Sequence, residues 1–132
     1  MRFTKITSAL TITLALIAGV VIGAIGHAVH AQTKPPVYMI GNIEVTNDEA
    51  YSKEYLPLAR KSILDHGGVY VAAGKGIALD GEKPKGRLVI LRWESMDKLM
   101  AWFNSPDYQA AHKIGEKYAK YNRMAVDGVE SK

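Results

Sequence analysis

The order of elements in this 132-residue chain predicts an α+β domain: a βαββαβ, ferredoxin-like fold with an antiparallel sheet and helices on one face. Three observations carry that expectation. An alternating strand at Val37–Val45 runs directly into a capped helix. Two further apolar strands flank the turn Asp80-Gly-Glu-Lys-Pro-Lys-Gly86. A Ser-initiated helical stretch then leads to a last strand near the C-terminus.

Val37, Met39, Gly41, Ile43 and Val45 fall on one face of the first strand, and Tyr38, Ile40, Asn42 and Glu44 on the other. Thr46 and Glu49 have capping-box spacing for the helix that follows. Its apolar stripe runs through Tyr51, Tyr55, Leu58 and Ser62 to His66, widened by Ala59 and Ile63. Pro57 is expected to kink it, and Gly67-Gly68 to stop it, one of the two in the left-handed conformation. Val69–Ala73 reads as the second strand, interrupted by Gly74-Lys75-Gly76 and resumed at Ile77–Leu79 after a bulge. Arg87–Trp93 is the third strand, and its continuous apolar centre, Leu88–Leu91, implies burial on both faces. Ser95 caps a helix with Met96, Leu99, Met100 and Phe103 on one stripe. Ser105-Pro106-Asp107 starts a second helix, with Tyr108, Ala111, Gly115, Tyr118 and Asn122 on one face. Arg123–Val129 is the last strand.

The N-terminus has a different logic. Arg2 and Lys5 precede a stretch, Ile6–Ala31, without a single Asp, Glu, Lys or Arg. A positive start, an apolar run and a small-residue end are what a secretory signal peptide requires. Cleavage after Ala31 uses Val29 and Ala31; cleavage after Ala28 uses Gly26 and Ala28. The rival reading is a retained anchor, since Ile6–Ile25 is about the length that spans a bilayer. Residues 1–31 are therefore a signal peptide or N-terminal anchor, 32–36 a linker, and 37–129 the folded domain. Either reading places that domain outside the cytoplasm, periplasmic or secreted, with a membrane partner only if the segment stays uncleaved.

Composition excludes several functions. The net charge is +4, but without Arg2 and Lys5 the 15 remaining basic residues face 13 acidic ones. That balance gives no electrostatic case for nucleic acid. The chain has no cysteine, which excludes thiol catalysis, iron–sulfur chemistry and disulfides. His66 and His112 have no metal-motif spacing, no Walker or GxGxxG loop is present, and no GxSxG elbow occurs, so the sequence implies no metal and no cofactor. Lys75, Lys83 and Lys85 cluster around a turn and read as a solvated loop rather than a phosphate site.

The runs YMIGNIEVTNDEAYSKEYLPLARKSILDHGG, LDGEKPKGRLVILRW and ESMDKLMAWFNSPDYQ resemble domain-of-unknown-function family 1330, within the dimeric α+β barrel superfamily. The landmarks are Tyr51 and Tyr55, His66-Gly67-Gly68, Leu79-Asp80-Gly81, Arg87, Trp102 and Ser105-Pro106-Asp107-Tyr108-Gln109, and together they cover about Val37–Val129. The chain departs from the pattern at Phe103, where Tyr is usual, at Asp80, where Glu is common, and at Lys75, which splits the glycines. The resemblance implies a ferredoxin-like fold and a homodimer, and brings no established reaction. Some members of the superfamily are cofactor-independent monooxygenases or isomerases acting on small aromatic or lactone substrates.

Candidate site residues follow from where polar groups meet apolar elements. His66, at a helix C-terminus, reads either as an acid–base group or as a cap on the last carbonyls. Asp80 is its orienting partner in the first reading. Arg87 is the candidate anion anchor, with Arg92 as the alternative and a rim salt bridge as the bland reading of both. Asn42 is a candidate pocket polar group. Tyr51 and Tyr55 are candidate wall residues; with Tyr38, Tyr108 and Trp102 they line either a ligand site or the core. The expected site lies between sheet and helices, with His66, Asp80 and Arg87 converging. Two functions are consistent with these residues: an exported dimeric module binding a small organic ligand, or a cofactor-independent monooxygenase-like or isomerase-like enzyme. Two helices cover one sheet face only, so the other is expected to pack on a second copy of the chain.

Overall fold

β1 (Val37–Val45) is paired along both edges. On one side β3 (Arg87–Trp93) runs antiparallel to it, from Val37 opposite Trp93 to Ile43 opposite Arg87. On the other, β4 (Ala119–Asp127) pairs along its whole length, from Val37 opposite Asp127 to Val45 opposite Ala119. β2 (Val69–Lys75) completes the sheet outside β3, giving the order β2-β3-β1-β4 with every pair antiparallel. Two interlocked split βαβ units produce this order, so the predicted ferredoxin-like fold stands. The computed structural model describes residues 34–130. The signal-peptide or anchor segment, 1–31, and the start of the linker lie outside the described residues. Among the described residues no helix is long and apolar enough to cross a membrane.

The alternation in β1 sets the layers. Val37, Met39 and Ile43 are buried beneath the helices, while Tyr38, Ile40, Asn42 and Glu44 lie half-buried on the outer face. The core has two parts. Val37, Met39, Leu91 and Trp93 of the sheet pack with Ile63, Leu99, Trp102 and Tyr108. Ile43 and Ala119 pack with Tyr51, Tyr55, Ala59 and Ala111. Trp93 and Trp102 stack with ring centroids 5.0 Å apart, and Tyr108 lies 4.0 Å from Trp102. Each such aromatic contact adds about 0.5–1.5 kcal/mol to the area it buries.

The first helical segment differs in detail from expectation. The cap of α1 (Asp48–Ala50) is Asn47, whose Oδ1 accepts from the Ala50 N–H at 3.1 Å; Thr46 instead donates its hydroxyl to the Tyr118 carbonyl. The kink expected at Pro57 is a π turn, Tyr51–Tyr55, in which the Leu56 N–H reaches the Tyr51 carbonyl five residues back. Pro57 lacks the N–H that would continue α-type bonding, and the extra residue is taken up in the preceding turn. α2 (Leu56–Asp65) then runs to Gly67, at φ +85°, and the Gly68 N–H closes on the Ile63 carbonyl at 2.8 Å. That is the left-handed stop the two glycines predict.

β2 continues through Lys75, and its bulge falls earlier, between Tyr70 and Ala72. Ile77 and Leu79 belong to no strand and are almost fully exposed, because β3 begins at Arg87 opposite Lys75 and offers them no partner. α3 (Met96–Phe103) is capped by Ser95 as expected, but it buries Leu99 and Trp102 while Met100 is exposed. α4 (Pro106–Gly115) starts at the Ser105 cap and buries Tyr108, Ala111 and Gly115. It ends before Tyr118 and Asn122, and β4 begins four residues earlier than expected. The long β1 edge dictates this, supplying partners down to Val45.

Candidate functional site

The π turn and α2 lie over the sheet and enclose with it a cavity of about 110 Å³. Tyr51 and Tyr55, one helical turn apart with ring centroids 4.8 Å apart, form one wall. Arg87 and Tyr70 come from adjacent strands, Arg60 from α2, and Arg123 from β4. The setting is dry enough to change the tyrosines. Burial pushes the Tyr51 phenol up to about 12 despite the nearby Arg87 cation. Burial, reinforced by neighbouring phenols, pushes Tyr55 higher still, and burial also raises Tyr121. These phenols are un-ionised at neutral pH.

The three arginines share an unusual setting. Among the described residues none of them has a carboxylate within ion-pair distance. Arg60 stands 5.9 Å above the Tyr70 ring. Arg123 hydrogen-bonds the Tyr108 hydroxyl and lies 4.8 Å from the Tyr121 ring centroid and 5.2 Å from that of Phe103. Gly41, opposite Arg123 in the sheet, makes this possible: a Cβ there would come within 3.3 Å of the Arg123 side chain. Arg87 has no such cage. Its Nε is buried and has no hydrogen-bond partner. His112 stands behind Tyr108 and Arg123, with Arg123 Nη2 3.4 Å from its ring nitrogens and Glu116 Oε1 3.1 Å from Nε2. Burial, then the Arg123 cation, lowers its pKa, with Glu116 opposing.

Of the sequence candidates, the structure brings Tyr51, Tyr55 and Arg87 together on the cavity. It does not bring His66, Asp80 or Asn42 to it. His66 ends α2 beside Trp93, at the opposite end of β3 from Arg87, roughly 20 Å along the strand. Its Nδ1 lies 2.8 Å from the Ser62 carbonyl and 3.7 Å from Asp107 Oδ2, the capping geometry. Asp80 is exposed, and its Oδ1 accepts from the Gly81 N–H at 2.9 Å. Asn42 is on the outer face, where its Oδ1 accepts from the Gly86 N–H at 3.0 Å and ties the β2–β3 loop to β1. Arg92 is exposed on that outer face; Arg87 is the arginine that faces the cavity. Arg60, Tyr70, Arg123 and His112 were not candidates from sequence. The strand phase that puts Arg123 beside Tyr121 on the helix side was the available signal.

An antiparallel sheet with helices on one face, enclosing a cavity that is aromatic inside with arginines at its walls, defines the class: a ferredoxin-like α+β domain with an interior cavity. Residues 36–129 match the family described as domain of unknown function (DUF1330), and the chain belongs to that family. No curated protein matches the chain. Among solved structures it is similar to the methylated RPA0582 protein, at 15% identity and TM-score 0.60 over 81% of this chain and 90% of that one. RPA0582 is a protein of unknown function from Rhodopseudomonas palustris. A putative antibiotic biosynthesis monooxygenase from Caulobacter crescentus matches at 18% identity and TM-score 0.58, over 79% of this chain and 99% of that one. SnoaB, a cofactor-independent oxygenase from Streptomyces nogalater, matches at 10% identity and TM-score 0.55, over 74% and 96%. At these identities the likeness is one of fold.

Proposed function

We propose that this protein is an exported, dimeric module that binds a small organic molecule in the cavity between sheet and helices. The observation that carries the reading is the convergence of Tyr51, Tyr55 and Arg87 on one enclosed, largely apolar space. Few polar groups aimed into an apolar concavity is the usual composition of a small-molecule site. A thermal-shift screen of small aromatics and organic acids tests it. A ligand at a hundredfold excess over its Kd stabilises by about 2.7 kcal/mol, equivalent to a rise of about 10 °C or more for a domain this size. A panel that leaves the melting temperature unmoved overturns the reading.

Two further parts of the proposal have separate supports. Export rests on Arg2, Lys5, the uncharged Ile6–Ala31 stretch and Val29-x-Ala31. N-terminal sequencing of periplasmic protein should read from Gln32, and intact protein in the cytosol would refute export. Dimerisation rests on the outer sheet face, where Ile40, Leu88 and Ile90 are half-buried and Met124 and Val126 exposed, with the helices of the described residues on the other side.

A second reading, a cofactor-independent oxygenase-like or isomerase-like enzyme, is favoured by one feature. Arg87 stands at the cavity wall where it can hold an enolate or phenolate. Oxygen uptake or isomerisation of a bound phenolic or lactone ligand, abolished in Arg87→Gln, distinguishes this reading from binding alone.

A further inference from the structure

We infer that the ligand class is a single-ring aromatic acid, its ring among the tyrosines and its carboxylate on Arg87, in a field set by the lysines of the β2–β3 loop. This rests on the cavity being a ligand site, as proposed above.

Arg87 and Ile43 line two spaces at once: the inner cavity of about 110 Å³ and a groove of about 480 Å³ outside it, between β1 and the β2–β3 loop. Arg87 therefore stands where the two spaces meet. The inner space is aromatic and largely apolar, with Arg60, Arg87 and Arg123 at its walls and no carboxylate in its lining. The groove is cationic: Lys75, Lys83 and Lys85 line it with Arg87, against the single acid Asp48. An apolar chamber opening onto a positive vestibule is shaped for a molecule with an apolar body and an anionic head.

Arg87 supplies the specific contact. Its Nε is buried without a hydrogen-bond partner, and buried N–H donors are rarely left unmatched. A carboxylate at the cavity wall can pair with two guanidinium N–H groups together, the fork geometry that an ammonium cannot offer. Size limits the body. An apolar cavity of about 150 Å³ accommodates benzene; at about 110 Å³ this chamber excludes a second ring and takes one ring only as its walls yield toward the groove. The lysines, read from sequence as a merely solvated turn, belong to the vestibule because Asn42 holds Gly86 against β1 and so keeps their loop over the groove.

Calorimetric titration of the purified protein with benzoate, benzamide, acetate and inorganic phosphate tests the class. Benzoate is expected to bind about tenfold or more tightly than benzamide or acetate, the size of one charge-assisted pair, and to weaken as salt rises while benzamide does not. Arg87→Gln should erase the preference for benzoate, and Arg87→Lys should restore only part of it. Should Arg87→Gln fail to fold, Lys83→Gln/Lys85→Gln, on an exposed loop, should still lower benzoate affinity several-fold and flatten its salt dependence. Equal binding of benzamide and benzoate, or tighter binding of phosphate than of benzoate, overturns the aromatic-acid inference and leaves the cavity reading intact. Failure of both benzoate and benzamide to bind overturns the aromatic-acid inference, whereas the cavity reading falls only if the whole thermal-shift panel also fails.

Discussion

Trp102 Nε1 donates a 3.2 Å hydrogen bond to Ser62 Oγ in the middle of the core, and that hydroxyl donates onward to the Ala59 carbonyl at 2.8 Å. Both side chains are about as buried as side chains become, at 1% and 2% exposure. The pair joins α2 to α3 by the only side-chain atom of Ser62 that can accept. Ser62→Ala leaves the indole N–H buried without a partner, which costs about 1–3 kcal/mol. Chemical denaturation should show that loss, and Ser62→Ala should cost markedly less in a Trp102→Phe background, where no N–H remains to be orphaned.

The close of α2 onto the sheet gives a second expectation. A Cβ on Gly68 would lie 2.6 Å from the Trp93 ring and 2.8 Å from Ile63 Cγ2, both rigidly buried. Gly68→Ala should therefore lower stability by about 1–3 kcal/mol, as overpacked cores do. Gly74→Ala, with nothing within 4 Å, should stay within about 0.5 kcal/mol of the parent. Melting temperatures of the two variants, measured side by side, check the contrast.

How far the sequence could be read depended on what each feature required. β1 and β3 were legible to the residue, because alternation and apolar runs are local. The ends of β2 and β4 were not, because a strand stops where its partner stops: Lys75 ends opposite Arg87, and Ala119 begins opposite Val45. Tyr51, Tyr55 and Arg87 were readable as neighbours from helix and strand phase alone. The composite with His66 ignored chain direction. A helix crossing back over β1 must end beside Val37 and Trp93, whereas Arg87 stands opposite Ile43 at the other end. Strand phase could place Arg123 on the helix side with Tyr121, but the room for its side chain comes from its pairing with Gly41, a cross-strand relation with no local signal.

The outer face makes a prediction about assembly. Ile90 sits at its centre, opposite Ile40 in the sheet, with Met124 exposed on the neighbouring strand. If two copies meet there, a charge at the centre is desolvated twice in the two-fold dimer, once from each copy. Ile90→Lys should sediment as a monomer at micromolar concentration where the parent sediments at twice the monomer mass. A parent that is itself a stable monomer refutes the interface.

His112 sets a pH dependence whose sign is fixed by its surroundings. Burial and the Arg123 cation both disfavour its imidazolium, outweighing Glu116, so its pKa in the folded protein lies below the ordinary 6.5. The unfolded chain therefore takes up a proton near pH 6.5 that the folded chain still refuses, and stability rises with pH across that interval. The contribution is fully present above about pH 6.5 and is lost as pH falls through the lowered folded value. Asp107, whose carboxyl is held below its ordinary 3.8 first by the Ser105 hydroxyl, acts only at still lower pH and leaves this window alone. Denaturation midpoints taken from pH 7.5 to 5 should fall in the parent. In His112→Gln, which keeps a polar group beside Arg123 but cannot titrate, the slope between pH 6.5 and 5 should flatten. Arg123→Gln should shrink it without abolishing it, since burial, the larger cause, remains. An unchanged slope in His112→Gln would show that another group carries the dependence.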